Sequence, residues 1–161
     1  NSLTTANVAA NALKSGGISS GVTASPPGSL SALPDSYSDA DQINSLLQLL
    51  AQLKNKYQIP VDHFIGHSDI APRRKVDPNI NFPWKTLYEK GYGIWFEPDA
   101  TQQLPAGLSI THALSLVGYD TKDSIAAILA FKRHFRQDSA RVMTTADSSV
   151  LAQLIKAKLT K

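Results

Sequence analysis

The chain of 161 residues contains no cysteine. Disulfide cross-links and thiolate metal sites are therefore excluded, and any transition-metal site has to use histidine and carboxylate ligands. The redox compartment stays open. No apolar run approaches the roughly 20 residues of a membrane-spanning helix, and the N-terminus lacks a charged-then-apolar signal pattern. Charge is sparse at 18% of residues, and 16 basic against 13 acidic side chains give a net charge of +3 and a pI near 9.2. A surface this mildly basic suits an acidic polymer, but nucleic-acid-binding motifs are absent. An initiator methionine is also absent, so the chain reads as a processed or excised piece. A hydrophobic content of 42% at this length is enough to bury a real core, in one domain or two small ones.

Residues 1–34 are poor in large apolar side chains and rich in Ser, Gly, Ala, Thr and Pro, including Pro26-Pro27-Gly28, the composition of a linker or flexible excursion. Ser38 then has the character of a helix N-cap, with Asp41 three residues on. Ile43, Leu46, Leu47, Leu50, Leu53 and Tyr57 follow at helical spacing as one apolar stripe. The helix should stop near Gln58, because Pro60 disfavours helical geometry in Ile59. A short strand, Phe64-Ile65-Gly66-His67, is expected next. Prolines 72, 78 and 83 exclude regular structure up to Trp84, where a helical turn to Glu89 begins.

Glu97 to Gly107, with Pro98 and Pro105, marks a boundary. Beyond it the periodicity predicts three helices, Ser109–Val117 closed by Gly118, Lys122–Phe135 and Thr145–Leu159. The second carries Ile125, Ile128, Leu129, Lys132 and Phe135 on its stripe. The third offers Val150, Leu151, Leu154, Ile155 and Leu159. A module of roughly 60 residues is near the lower size for independent folding.

The densest chemistry lies in residues 65–84, IGHSDIAPRRKVDPNINFPW, which place His67, Lys75 and Asp77 in one proline-bounded segment. Neutral imidazole and carboxylate oxygen are ligands of a catalytic zinc that keeps one position open for water. Two ligands do not complete such a site. The plainer reading makes His67 a hydrogen-bonded core histidine and Asp77 a turn-forming Asp-Pro, and spacing alone does not choose between them. Arg73 and Arg74 are ordinarily a solvated pair, although beside a metal cleft one of them suits a bidentate contact to a carboxylate. His63, four residues before His67, is read as structural. His112 and His134 are read as helix-surface or packing residues, and Trp84 and Trp95 as packing residues.

The run GHSDIAPRRKVDP followed by FPW resembles the zinc N-acetylmuramoyl-L-alanine amidases of the amidase-2 type. These cut peptidoglycan between the lactyl group of N-acetylmuramic acid and the L-alanine of the stem peptide. The helix from Tyr37 to Tyr57 and the segment from Lys85 to Trp95 are also similar to the family. The resemblance implies that His67 and Asp77 are the second and third Zn2+ ligands, that Lys75 is the lysine beside the metal water, and that Arg73 or Arg74 meets the stem peptide. Asn79 replaces the glycine usual after the Asp-Pro, and asparagine tolerates the left-handed conformation such a turn needs. Residues 113–120 and 130–136 resemble a peptidoglycan-binding domain, with Lys132 standing where glutamine is common. That order of segments is similar to the outer-membrane branch in Gram-negative bacteria.

The fold so implied is an α/β amidase domain, a mixed sheet flanked by helices and here partial, over residues 35–97. An all-α three-helix peptidoglycan-binding domain over residues 98–161 follows it. The implied partners are peptidoglycan or muropeptides, in the periplasm or at the outer membrane, with no nucleic acid and no transmembrane segment. One departure stands against this. The family's first zinc histidine and the acid/base that assists the water lie upstream of the helix, and residues 1–34 supply neither. Either the missing half lies upstream or on a second chain, or the zinc site is degenerate and the protein binds peptidoglycan without cutting it. A third reading is an adaptor fragment whose helical module binds a partner protein.

Overall fold

A computed structural model describes residues 40–160, and the expected linker at 1–34 and the Ser38 cap lie outside them. The first helix, α1 (Ala40–Tyr57), buries Leu46 and Leu50, whereas Tyr57 at its end is 51% exposed and leaves the stripe. Gln58 closes the helix at φ 51°, and the Ile59 N–H turns back to the Lys54 carbonyl at 3.2 Å. Ile59, Phe64, Phe82, Trp84, Leu87 and Tyr92 pack with Leu46 and Leu50 into a first core.

The expected strand at Phe64–His67 does not form. A 3₁₀ turn (Val61–His63) leads into extended backbone, and His67 opens a short helix, α2 (His67–Ile70), instead of closing a strand. The expected mixed sheet is overturned with it, since the described residues are helical and contain no strand. Extended backbone becomes a strand only by laddering with a neighbour. Here the nearby groups bond singly, Gly93 N–H to Val61 O at 2.8 Å and Ser68 N–H to Asp77 O at 2.9 Å. The loop runs through a cis Asp77-Pro78 bond to α3 (Trp84–Glu89). Asn79 does not adopt positive φ. Its side-chain oxygen accepts the Asn81 N–H at 2.8 Å and holds the turn that way.

Three helices complete the described chain, α4 (Ile110–Val117), α5 (Ser124–Phe135) and α6 (Thr145–Leu159). Their starts are set by local capping chemistry. Ser109 accepts the His112 N–H, Asp123 accepts the Ala126 N–H, and Thr144 with Asp147 forms a reciprocal capping box. Leu114, Ala127, Phe131, Leu151 and Leu154 form the second core. Ile125 (41% exposed) and Leu159 (76%) lie off the apolar faces expected to hold them. The connector at 97–107 is fastened along α6 by Glu97 N–H to Gln153, Gln102 N–H to Ser149, and Gln153 to the Ala100 carbonyl.

The two cores share a seam. Trp95 packs against both, and α2 lies against α5. Arg73 reaches across to Asp120 at 3.2 Å.

Candidate functional site

The loop after α1 brings His67 and Asp77 together, with His67 Nδ1 3.2 Å from Asp77 Oδ2. Both side chains are partly accessible, at 26% and 13% exposure, so the pair sits at a surface and not in a sealed core. Proximity follows from the backbone. The first turn of α2 leaves N–H groups without intrahelical partners, and Ser68 N–H is satisfied by the carbonyl of Asp77 itself. That bond draws the Asp77 end of the loop onto the start of the helix that carries His67.

Gly66 fixes the approach. A Cβ at this position would come within 2.9 Å of Pro78 Cδ and 3.1 Å of Trp84 Cζ2, so only glycine lets the backbone pass so near the loop's far side. Lys75 lies exposed two residues before Asp77, its N–H bonded to the Ala71 carbonyl at 3.0 Å. Arg74 is exposed. Arg73 is engaged with Asp120, whose carboxyl is held below its usual range first by the Lys122 backbone N–H and then by Arg73.

Two residues at this site, Asp69 and Tyr119, were given no role by the sequence, and a third, His134, was read only as a helix-surface or packing residue. Asp69 is 8% exposed, and its carboxylate accepts Gly66 N–H at 2.8 Å, His134 Nδ1–H at 2.7 Å and Tyr119 O–H at 3.0 Å. Burial, then the Asp69 charge beside it, pushes the Tyr119 phenol well above its ordinary range and keeps it a donor. His134 is a packing residue, the second of the two readings given for it. It is 4% exposed and stacked face to face on Trp84 at 3.9 Å between ring centres. The sequence signal available for it was its place beside Phe135 in α5, inside an otherwise apolar and basic run.

His63 keeps a buried Nδ1 with no hydrogen-bond partner among the described residues. It borders a cavity of about 370 Å³ between the units, shared with Ile65, Ile94, Tyr119, His134 and Leu154. Neither His67 nor Asp77 lines this cavity, and its walls are mostly apolar. Among the described residues no three His, Cys, Asp or Glu side chains gather as a metal cluster, and His67 with Asp77 brings together one imidazole and one carboxylate, two of the donor types a zinc site uses.

Residues 11–80, which contain His67, Lys75 and Asp77, match the family described as N-acetylmuramoyl-L-alanine amidase (Amidase_2). Among individual proteins, the chain is homologous to N-acetylmuramoyl-L-alanine amidase AmiD of Escherichia coli, with 30% identity over 71% of this chain and 47% of AmiD. It is also 40% identical over 52 residues to 1,6-anhydro-N-acetylmuramyl-L-alanine amidase AmpD of Enterobacter cloacae, covering 27% of that protein. The chain thus spans half or less of the length of these relatives. The solved structures agree. AmpDh3 of Pseudomonas aeruginosa in complex with anhydromuramic pentapeptide superposes with a TM-score of 0.64 at 31% identity, covering 74% of this chain and 53% of that one. The complex of E. coli AmiD with anhydro-N-acetylmuramic acid-L-Ala-D-gamma-Glu-L-Lys gives 0.61 at 26% identity, over 74% and 52%.

Proposed function

We propose that this chain carries the metal-facing loop and the C-terminal unit of a zinc-dependent peptidoglycan amidase that hydrolyses the amide between N-acetylmuramic acid and L-alanine. The observation that carries the reading is the 3.2 Å approach of His67 to Asp77 inside the segment that matches the amidase family. His67 and Asp77 would hold Zn2+. The chemistry the metal supplies when bound is Lewis acidity toward the scissile carbonyl and toward water. Lys75, exposed on the same loop, contributes a fixed positive charge to the developing oxyanion. Arg74 is open to a stem-peptide carboxylate, whereas Arg73 would have to leave Asp120 to serve one. The residues of α4–α6 are assigned to wall binding, and the setting is the cell envelope of a Gram-negative bacterium.

Zinc titration of the chain, His67→Ala and Asp77→Ala tests the assignment. Each substitution should lower affinity sharply, and unchanged stoichiometry in both would sink it. A second reading, peptidoglycan binding without cleavage, is favoured by the two-member donor set among the described residues. Release of stem peptides from muropeptides separates the two. Hydrolysis that depends on added zinc supports the amidase, and co-sedimentation with sacculi without hydrolysis supports the binder.

A further inference from the structure

The backbone that aims His67 is held from the other side of the seam. Gly66 N–H, the donor immediately before His67, is satisfied by Asp69 Oδ2 at 2.8 Å. That oxygen also accepts His134 Nδ1–H at 2.7 Å, and the other oxygen of the same carboxylate takes the Tyr119 hydroxyl at 3.0 Å. Both of these partners lie far along the chain, 65 and 50 residues from Asp69, in α5 and just after α4. His134 in turn has no freedom to turn away. Its ring is stacked on Trp84 at 3.9 Å with an interplanar angle of 11° and on Phe135 at 4.1 Å and 15°.

A buried carboxylate that loses a donor has to find another or move toward water. Asp69 also borders the cavity between the units, so either response turns its carboxylate or shifts α2, and both loosen the hold on Gly66 N–H and with it the direction of His67. The loop's other anchors bear on His67 less directly, since Ser68 N–H to Asp77 O ties the two metal-facing residues to each other and Arg73 meets Asp120 across the seam six residues beyond His67.

We propose that Tyr119 and His134 are positioning residues for His67, acting through the Asp69 carboxylate, so that the C-terminal unit sets the geometry of the metal-facing pair. The inference rests on the reading of His67 and Asp77 as zinc ligands. Under it the C-terminal unit is part of the catalytic architecture and not only a wall anchor.

The experiment is zinc titration of the 161-residue chain and four variants, with amide hydrogen exchange over residues 66–70 measured in the zinc-free proteins. Tyr119→Phe removes one hydroxyl. His134→Phe keeps an aromatic ring against Trp84 and loses the donor. His134→Asn keeps a donor nitrogen close to the Nδ1 position and loses the ring. Tyr119→Phe and His134→Phe should weaken zinc by about tenfold, the lower end of what losing an outer partner costs a metal site. Exchange at Gly66 to Asp69 should accelerate in the same two. His134→Asn should bind zinc more tightly than His134→Phe although its Tm is lower. Zinc affinity that follows Tm through the series overturns the proposal, because the side chains then only brace the fold. Parent-like affinity in all three Tyr119 and His134 variants, with zinc lost in His67→Ala, overturns it too. The fourth variant, His67→Ala, separates the premise. If it and the parent chain take up zinc alike, the assignment of His67 as a ligand is what fails.

Discussion

Gly66 is constrained by what stands around it and not by its dihedral angles. Its φ of −79° is open to any residue, yet a Cβ would meet Pro78, Asp69 and Trp84 at 2.9–3.1 Å. Gly66→Ala should destabilise the chain by about 2 kcal/mol, the scale of overpacking a filled site, as read by urea denaturation. At Lys75 the expectation is the reverse. The side chain is exposed and the loop is held by backbone bonds, so Lys75→Ala should leave stability and zinc uptake unchanged. Turnover of muropeptides should fall on the order of 100-fold, as when one preorganised oxyanion partner is removed. A matching loss of zinc would give Lys75 a structural role instead. The approach of His67 to Asp77 was legible because their motif is local and dense. Asp69 and His134 were not, since a hydrogen bond between positions 65 residues apart leaves no periodic trace in either segment.

At the scale of elements, the helices were legible where their ends carry local chemistry. Thr145–Leu159 begins where Thr144 and Asp147 cap each other, and Ile110–Val117 ends at Gly118, φ 123°. The strand expected at 64–67 was misread for the opposite reason. A short apolar run states a preference for extended backbone but not whether a pairing partner exists. Lys132 shows a stripe position filled by a charge. It is 1% exposed and sits within 2.6 Å of Asp138 and 3.0 Å of Asp147. The hydrogen bond to Asp138 raises its pKa above the usual lysine range, against the effect of burial. Lys132→Met would leave Asp147 to Arg136 and the Thr144 N–H alone. The expected loss is about 3 kcal/mol in chemical denaturation, the scale of breaking a buried pair from one side.

Burial pushes the Asp147 carboxyl up, but the Thr144 N–H and Lys132 outweigh it and hold the group below its ordinary value. A depressed carboxylate contributes stability that is present above the unfolded pKa and lost as pH falls through the folded one. The part of the unfolding free energy that Asp147 supplies should therefore be level down to about pH 5 and decline below about pH 4. The decline should be shallower in Asp147→Asn, which a series of denaturant titrations across this range will show.

At the scale of the molecule, the structure joins the residues on either side of the boundary expected at 97–107. Tyr119, His134 and Phe135 face the seam, and α6 holds the connector through Gln153 and Ser149. Residues 107–161, excised, should keep helical circular dichroism from their own core of Leu114, Phe131 and Leu151. They should unfold at lower urea than the same helices in the parent chain. Equal midpoints would mean that the seam contributes nothing to either unit.

The chain has two tryptophans, and both lie against a single imidazole, with ring centres 3.9 and 6.4 Å from that of His134. Trp95 packs against both cores, and Trp84, in the first, stacks on a ring carried by α5, so the intrinsic emission of this protein is a gauge of the junction and is nearly blind to the helices on either side. Far-ultraviolet dichroism has the opposite bias. If the two signals change together on heating, the molecule melts as one cooperative body. If emission changes first, the gap between the curves measures how far the halves part while each remains folded.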